Sequence, residues 1–224
     1  MSVFRWRMMS MQPLTTERLN LRMITHDDSD FIQALYNTED FLNDIGDKGI
    51  DSPKSAVSYI ENNILKMYED KGVCLLLVED KHTLSALGVC GLIKRDTLEA
   101  YDIGYGYFPS VYGKGIAYEA AKAVLDDAQN RLKIKSLVAI TTSNNQRSIN
   151  LLERLGFSFE RVEEALSESV NLNLYQLTFD RQFSTHSQSN LATQPNLVNK
   201  PKPVTQSQHF SQSKHVFQSK HGTQ

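Results

Sequence analysis

Two glycines, Gly113 and Gly115, stand immediately before an amphipathic segment and could form an anion-binding turn. The apolar residues after them recur with helical spacing, and the helix start has no polar capping residue of its own. The first N–H groups of a helix are unpaired and carry partial positive charge, so a glycine turn at that point suits a phosphate group. The stretch from Tyr112 to Ala117 therefore predicts a site for a phosphorylated ligand.

Two common phosphate-binding motifs do not fit this turn. A P-loop requires a glycine where Phe108 stands and a hydroxyl residue where Gly115 stands. A dinucleotide-binding fingerprint requires a third glycine where Pro109 stands, and Gly104 and Gly106 fall inside a predicted strand. On the motif alone, the alternative is a tight strand-to-helix turn with no ligand.

The elements that would position the turn alternate between two hydrophobic periods, which is typical of mixed α/β structure. Strands are predicted at 19–24, 73–78, 87–93, 101–108, 136–140 and 172–179, with the second and third forming a hairpin. Helices are predicted around 31–35 and at 53–68, 115–131 and 146–155. An acidic loop, 43–53, joins the first two helices. The predicted site therefore lies where the strand 101–108 meets the helix 115–131.

Composition limits the classes of partner. The chain has 224 residues, 24 basic and 26 acidic side chains, and a formal net charge of −2. Four lysines and no acid follow residue 181, so the preceding part has 24 − 4 = 20 basic against 26 acidic residues, a charge of −6. An acidic body argues against nucleic-acid binding and favours a cationic substrate.

The sequence also predicts where the protein resides. No run of about 18 apolar residues is present, so no membrane-spanning helix and no membrane partner are expected. Cys74 and Cys90 lie in apolar runs, and two cysteines make neither a disulfide framework nor a zinc site. We therefore expect a cytoplasmic protein without a metal site.

Three regions are predicted along the chain. Residues 1–13 form an N-terminal extension that is expected to be disordered, and residues 14–181 form one domain. Residues 182–224 are rich in Ser and Gln and cannot bury enough apolar surface to offset their ordering entropy. This tail is therefore also expected to be disordered.

Three segments carry a resemblance to a known family. The string YGKGIA at 112–117 resembles the acetyl-CoA pyrophosphate loop of the GNAT acetyltransferase superfamily, although Tyr112 stands where the family usually has Gln or Arg. The string NQRSINLLERLGF at 145–157 is similar to the second cofactor segment of that family. The string LTTERLNLR at 14–22 is similar to the opening of the ribosomal-protein alanine acetyltransferase branch. The resemblance covers about residues 14–179, with the segments in the expected order.

The resemblance implies a fold and a co-substrate. The fold would be a mostly antiparallel central sheet, flanked by helices and splayed at the cofactor site. Acetyl-CoA would be the co-substrate. Main-chain groups around Tyr107 would bind pantetheine, and Asn145 would contact the pantetheine arm. The pyrophosphate would lie on the loop residues Tyr112, Gly113, Lys114, Gly115, Ile116 and Ala117.

Candidate catalytic residues follow from the chemistry of amine attack on a thioester, which needs a base for the amine proton and an acid for the departing thiolate. In many family members a tyrosine supplies the acid, but Leu152 stands at that position. The resemblance to the alanine acetyltransferase branch implies Ser148, three residues after Asn145, as the candidate acid, with helix packing as its alternative role. Asp102 is the candidate base, ahead of Asp96 and Glu99. An ordinary exposed acid is the alternative for each of the three.

The resulting prediction is an N-acetyltransferase that moves acetyl from acetyl-CoA to a primary amine by direct attack in a ternary complex. The acceptor is a protein N-terminus or a small molecule. Asp44 and Asp47 of the acidic loop could pair with that amine, although turn and capping roles explain them equally well. The alternatives are a non-catalytic acyl-CoA-binding module and a scaffold whose tail recruits a partner.

Overall fold

The computed structural model describes residues 13–163 and 172–179. The two terminal regions expected to be disordered, 1–13 and 182–224, lie outside the described residues except for Pro13. No helix in the described part of the chain is both long enough and apolar enough to cross a membrane. The three-region division of the chain stays a prediction.

One sheet of eight strands forms the centre of the described residues, in the order β1-β2-β3-β4-β5-β6-β8-β7. All neighbours are antiparallel except β5 and β6, which are parallel. This arrangement confirms the predicted fold class. The strands are β1 (Leu14–Thr15), β2 (Leu19–Met23), β3 (Leu75–Asp80), β4 (Ala86–Ile93), β5 (Tyr101–Tyr107), β6 (Ser136–Thr142), β7 (Ser158–Glu163) and β8 (Leu172–Thr178).

Six α-helices flank this sheet in the described residues. They are α1 (Ser29–Tyr36), α2 (Glu39–Asp44), α3 (Pro53–Tyr59), α4 (Lys66–Lys71), α5 (Ile116–Asn130) and α6 (Gln146–Arg154). A π-helical segment, Ile60–Leu65, joins α3 to α4 without a break, and 3-10 turns lie at His26–Asp28 and Pro109–Val111. The predicted helix at 53–68 therefore forms, with Pro53 in its first turn.

The helix α5 packs its small and branched residues against the sheet, as its spacing predicts. Its buried residues are Ile116, Ala120, Ala121, Val124, Leu125 and Ala128. On β4, Gly88 lets the ring of Tyr107 pass over the strand, because a Cβ at Gly88 would lie 2.3 Å from Cδ1 of Tyr107. Cys74 and Cys90 are free and buried in the same core, and burial raises the pKa of both thiols to about 12.

The sheet opens between β5 and β6. These two strands pair only at Tyr101 with Leu137 and at Asp102 with Val138. Beyond Asp102 both strands continue for several residues without pairing to each other. The result is a fork that starts at Asp102 and widens toward the glycine turn, which confirms the splayed sheet.

Three short elements are absent from the sequence prediction. Strand β1 has only two residues, too few for a period to be read. Helix α2 falls partly in the segment predicted as a loop; it has six residues and one buried side chain, Phe41, so it shows no helical period either. Strand β7 exposes Phe159 and Val162, and its register shifts between Phe159 and Arg161, which breaks the alternation that predicts a strand.

Candidate active site

A cleft of about 1040 Å³ lies along the fork. Its walls come from β5, the ends of β6, helix α2, the glycine turn and the start of α6. Nine of the ten site residues predicted from the sequence line it: Asp102, Tyr107, Tyr112, Gly113, Gly115, Ile116, Ala117, Asn145 and Ser148. The tenth, Lys114, is exposed beside the turn, and its carbonyl oxygen accepts a hydrogen bond from Arg18.

The glycine turn has the conformation that an anion site needs. Gly113 and Gly115 adopt left-handed φ angles of 73° and 75°, which residues with a Cβ rarely take. A Cβ built on Gly113 would have no atom within 4 Å, so the space beside the turn is open. Gly115 caps α5 without a side chain, and the first N–H groups of that helix, at Ile116 and Ala117, have no acceptor among the described residues. These groups fit a pyrophosphate.

Arg18 holds the glycine turn in place, and no sequence pattern identified it. One guanidinium nitrogen of Arg18 donates to the carbonyl oxygen of Lys114 at 3.0 Å, and another pairs with Glu119 at 2.6 Å. Glu119 also accepts a hydrogen bond from Thr16 at 2.6 Å. This network fixes the segment before β2 against the start of α5. Since Arg18 lies about a hundred positions from Glu119 in the chain, no local pattern could have found the contact.

Tyr112 joins three elements around the cleft. Its hydroxyl lies 2.9 Å from Asp40 of α2 and 3.2 Å from the carbonyl oxygen of Tyr107. The guanidinium of Arg147, on α6, lies 4.5 Å from the centre of the Tyr112 ring and 3.1 Å from Asp40. Burial and the Asp40 carboxylate raise the pKa of Tyr112 to about 12. A cation from α6 thus stands beside the loop position where the resemblance leads one to expect Gln or Arg.

Asn145 and Ser148 form the N-terminus of α6. The side-chain oxygen of Asn145 accepts a hydrogen bond from the N–H of Ser148 at 3.0 Å, so Asn145 caps the helix. The hydroxyl of Ser148 lies 2.8 Å from the phenolic oxygen of Tyr105 on β5. Sequence reasoning missed Tyr105, because nothing local to it shows that its ring crosses the fork to α6. Leu152, one turn further along, is fully buried in the core.

Asp102 is buried at the closed end of the fork. Only 1% of the residue is exposed, and one carboxylate oxygen lies 2.7 Å from Nε of Arg95. Burial raises the pKa of Asp102 to about 6, although the Arg95 guanidinium acts in the opposite direction. The other two carboxylates considered for the base lie elsewhere: Asp96 is 92% exposed and pairs with Lys71, and Glu99 is exposed.

Asp102 and Tyr105 point to opposite faces of the sheet, since side chains alternate along a strand and the two residues are three positions apart on β5. Gly106, on the face of Asp102, lies against α2, because Phe41 would be 3.2 Å from a Cβ on that glycine. Tyr105 points to the other face, where it meets Ser148. The fork therefore connects one face that carries a carboxylate with another that carries two hydroxyls.

Aromatic and charged side chains line the far end of the cleft, beside α2. The rings of Tyr36 and Phe41 stack at 4.1 Å, and Tyr36 meets Tyr59 edge-on at 5.2 Å. Asp44 opens onto the same space, and partial burial raises its pKa above the usual value. Lys48 is exposed on the same side, and desolvation by the surrounding residues lowers its pKa. The aromatic rings at this end can pack against an organic group, and Asp44 and Lys48 can pair with a charged one.

Thr142 supplies a hydroxyl that the sequence analysis also missed. It is the last residue of β6 and lines the cleft, yet it is only 6% exposed. Its hydroxyl has no hydrogen-bond partner among the described residues. A buried hydroxyl without a partner is costly, so a ligand in the fork would satisfy it.

Comparisons with known proteins agree with this geometry. The chain is 28% identical over 151 residues to the uncharacterised protein YkkB of Bacillus subtilis, covering 66% of this chain and 86% of that protein. Among solved structures, RimL, a ribosomal alpha-N-protein acetyltransferase, superposes with a TM-score of 0.66 at 17% identity, covering 75% of this chain and 94% of that one. The microcin self-immunity acetyltransferase MccE, solved with acetyl-CoA and AMP, gives 0.64 at 20% identity, covering 73% and 94%.

The sequence also matches a family profile described as the acetyltransferase (GNAT) domain over residues 18–158, more than half of the chain. That match includes the fork, the glycine turn and α6. It confirms the family resemblance carried by the loop and by the segment 145–157. The chain belongs to the GNAT acetyltransferase family.

Proposed function

We propose that this protein transfers acetyl from acetyl-CoA to a primary amine, by direct attack of the amine on the thioester in a ternary complex. One observation carries the proposal: a single cleft joins the glycine turn to a buried carboxylate through the fork between β5 and β6. The membership of the GNAT acetyltransferase family supports acetyl transfer.

Acetyl-CoA supplies the activated acetyl group, and the chain's residues would hold it at both ends. The pyrophosphate would lie on the N–H groups at 113–117. The guanidinium groups of Arg18 and Arg147 lie nearby, each already paired with a carboxylate, Glu119 and Asp40 respectively. The pantetheine arm would run along the edge of β5 that faces the fork, which has no strand partner beyond Asp102. Thr142 and Asn145 would contact that arm from the opposite side of the fork.

Asp102 would accept the proton of the amine, directly or through a water. A pKa of about 6 keeps the carboxylate ionised at neutral pH while leaving it a stronger base than an ordinary aspartate. Arg95 would hold the carboxylate in place through the 2.7 Å contact. The acid for the thiolate would come from the hydroxyl pair of Ser148 and Tyr105, on the other face of the sheet.

The acceptor would enter beside α2, from the face that carries Asp102. Asp40 and Asp44 both line that entrance, where Arg147 pairs with Asp40 and Lys48 lies on the same side. Asp44 is therefore the carboxylate best placed to meet a cationic amine. A protein N-terminus and a small-molecule amine both meet this description.

We also propose a cytoplasmic location. The two buried cysteines, which are free thiols, support it.

Two measurements test the function. A calorimetric titration with acetyl-CoA, compared with free CoA, is expected to give micromolar binding, about −8 kcal/mol. A panel of amines, scored by thiol release, is then expected to reveal turnover. Binding without turnover for any amine would instead favour the non-catalytic acyl-CoA-binding module. Absence of binding would contradict the assignment of the glycine turn.

A further inference from the structure

We infer that Tyr105 is the acid that protonates the departing thiolate, and that Ser148 is the residue that positions it. The inference rests on the proposed acetyl transfer and deepens it. The hydroxyls of the two residues lie 2.8 Å apart across the fork, where β5 and β6 no longer pair. Both residues line the cleft. The sequence analysis assigned the acid role to Ser148 alone.

The position of Tyr105 along β5 suits contact with the thioester sulfur of acetyl-CoA. The pyrophosphate turn follows the C-terminal end of β5, and Asp102 lies near its beginning. A pantetheine arm that enters from the turn therefore passes Tyr107 and then Tyr105 before it reaches the closed end of the fork. Tyr105 lies three positions after Asp102, a rise of roughly 10 Å along the strand. That interval leaves room for the thioester carbon and the attacking amine between acid and base.

The chemistry of the two hydroxyls favours the phenol as the donor. An unperturbed phenol has a pKa of about 10, and an aliphatic hydroxyl is a much weaker acid, so tyrosine is the better source of a proton for a thiolate. Burial raises the pKa of Tyr105, which keeps it protonated, whereas the hydrogen bond from Ser148 acts in the opposite direction by stabilising the phenolate. The N-terminus of α6 points its partial positive charge at the same place.

Ser148 is held in position for this task. Its N–H donates to the side-chain oxygen of Asn145, which fixes the first turn of α6. Its hydroxyl can then donate to the phenolic oxygen and leave the phenol's own proton free for the sulfur. Leu152 supplies no polar group, since it is fully buried among apolar residues. Tyr105, from a strand, therefore provides the phenol that α6 does not.

The proton balance closes with these groups. The amine nitrogen forms a bond to the thioester carbon, and the C–S bond then breaks with its electron pair going to sulfur. The proton of Tyr105 moves to that sulfur and gives the free thiol. The proton lost by the amine nitrogen passes through Asp102 and solvent and restores the phenol. One proton has then moved from nitrogen to sulfur, and both side chains have returned to their starting state.

Turnover kinetics separate the roles of the two residues. Tyr105→Phe is expected to lower kcat about 100-fold while the KM for acetyl-CoA stays within about threefold, since acid catalysis contributes at least this much. Ser148→Ala is expected to cost about tenfold, because the phenol remains. The double variant should be no slower than Tyr105→Phe alone, because Ser148 acts only through Tyr105. A larger loss in Ser148→Ala than in Tyr105→Phe would overturn the assignment.

A second measurement needs no acetyl transfer. The pKa of the thiol of bound CoA is obtained from the pH dependence of its alkylation by iodoacetamide. The protein's own two thiols, Cys74 and Cys90, are buried with pKa values near 12 and do not compete for the reagent. Loss of the phenol should raise the pKa of the bound thiol by about one unit, since a hydrogen bond to a charged group is lost.

Tyr101→Phe is the matched control. It removes the same hydroxyl from the same strand, four residues earlier, at a residue that does not line the cleft. It is expected to match the wild type in kcat and in the pKa of the bound thiol. An identical thiol pKa in the wild type and Tyr105→Phe would overturn the inference. Failure of the wild type to release thiol with any amine would overturn the proposed function, so the two failures are distinguishable.

Discussion

The two ends of the cleft are built in different ways. The cofactor end comes mostly from one continuous stretch, in which β5, the glycine turn and the first turn of α5 follow each other within 101–117. The acceptor end is assembled from α2, the loop after it, the helix that begins at Pro53 and the loop that carries Arg95. A local segment can carry a motif, whereas an assembled surface cannot. The end beside the glycine turn can therefore be recognised from the sequence, whereas the end beside α2 cannot.

The largest expected effect concerns the glycine turn. Gly115→Glu puts a negative charge and a strained left-handed residue where the pyrophosphate would lie, and we expect the Kd for acetyl-CoA to rise at least about 100-fold. Calorimetric titration measures the change. Gly72→Glu is the matched control, because Gly72 has the same φ of 75° and open space around it but lies at the end of α4, outside the cleft.

The control variant should bind acetyl-CoA as the wild type does, while both variants should lose a similar amount of stability from the left-handed backbone, about 1–2 kcal/mol. Normal binding by Gly115→Glu would mean that the cofactor end has been placed wrongly. If both variants lost the same amount of acetyl-CoA affinity, backbone strain and not contact with the phosphates would explain the weaker binding. The glycine turn would then not be the part of the cleft that binds the phosphates.

The second-largest effect, a fall in kcat/KM, is expected at Asp102, at the closed end of the fork. Asp102→Asn keeps the size of the side chain but removes the base, and kcat/KM for the amine should fall about 100-fold with acetyl-CoA binding unchanged. The carboxylate must be ionised to accept a proton. In the wild type, kcat/KM should therefore rise with pH through a midpoint near 6 and level off above it, apart from the titration of the amine itself.

Asp102→Asn should lack that midpoint. Asp96→Asn is the control, since Asp96 lies in the loop just before β5 but its side chain is 92% exposed and outside the cleft. A full pH profile with a midpoint near 6 in Asp102→Asn would show that another group is the base. Asp102 would then serve only to anchor Arg95.

The smallest effect is expected at the acceptor entrance. Asp44→Asn removes a partly buried negative charge, and the KM for a cationic amine should rise about threefold, because a single charge in contact with solvent contributes little. Added salt should reduce the difference, since it screens the charge. Asp126→Asn, on the exposed face of α5, makes the same change of charge away from the cleft and should have no effect. A change in acetyl-CoA affinity in Asp44→Asn would show that Asp44 acts on the cofactor and not only on the acceptor.

Much of the fold could be predicted from periodicity. The hairpin of β3 and β4, the amphipathic α5 and the Pro53 helix start all follow local rules that the structure confirms. The elements that the prediction missed are short or irregular. Helix α2 buries one side chain, and β7 carries a register shift, so neither shows a period long enough to detect.

In the site, too, only features formed by residues close together in the chain could be predicted from the sequence. The glycine turn and the cap of α6 by Asn145 are visible as local spacings, because each involves residues within a few positions of one another. Arg18, Tyr105 and Thr142 could not be found in this way. Each acts through a contact or a space created by distant segments, such as the 2.8 Å approach of Tyr105 to Ser148 across 43 positions of the chain.

The sequence by itself determined the family, the glycine turn and the alternation of strands and helices, because backbone conformation and hydrophobic period depend on near neighbours. Tertiary structure alone decided which carboxylate is buried and which hydroxyls meet. Asp102, Asp96 and Glu99 look alike along the chain, yet only Asp102 lies at the closed end of the fork, where burial raises its pKa to about 6. Burial and electrostatic environment depend on the whole surrounding fold, and no local spacing encodes them.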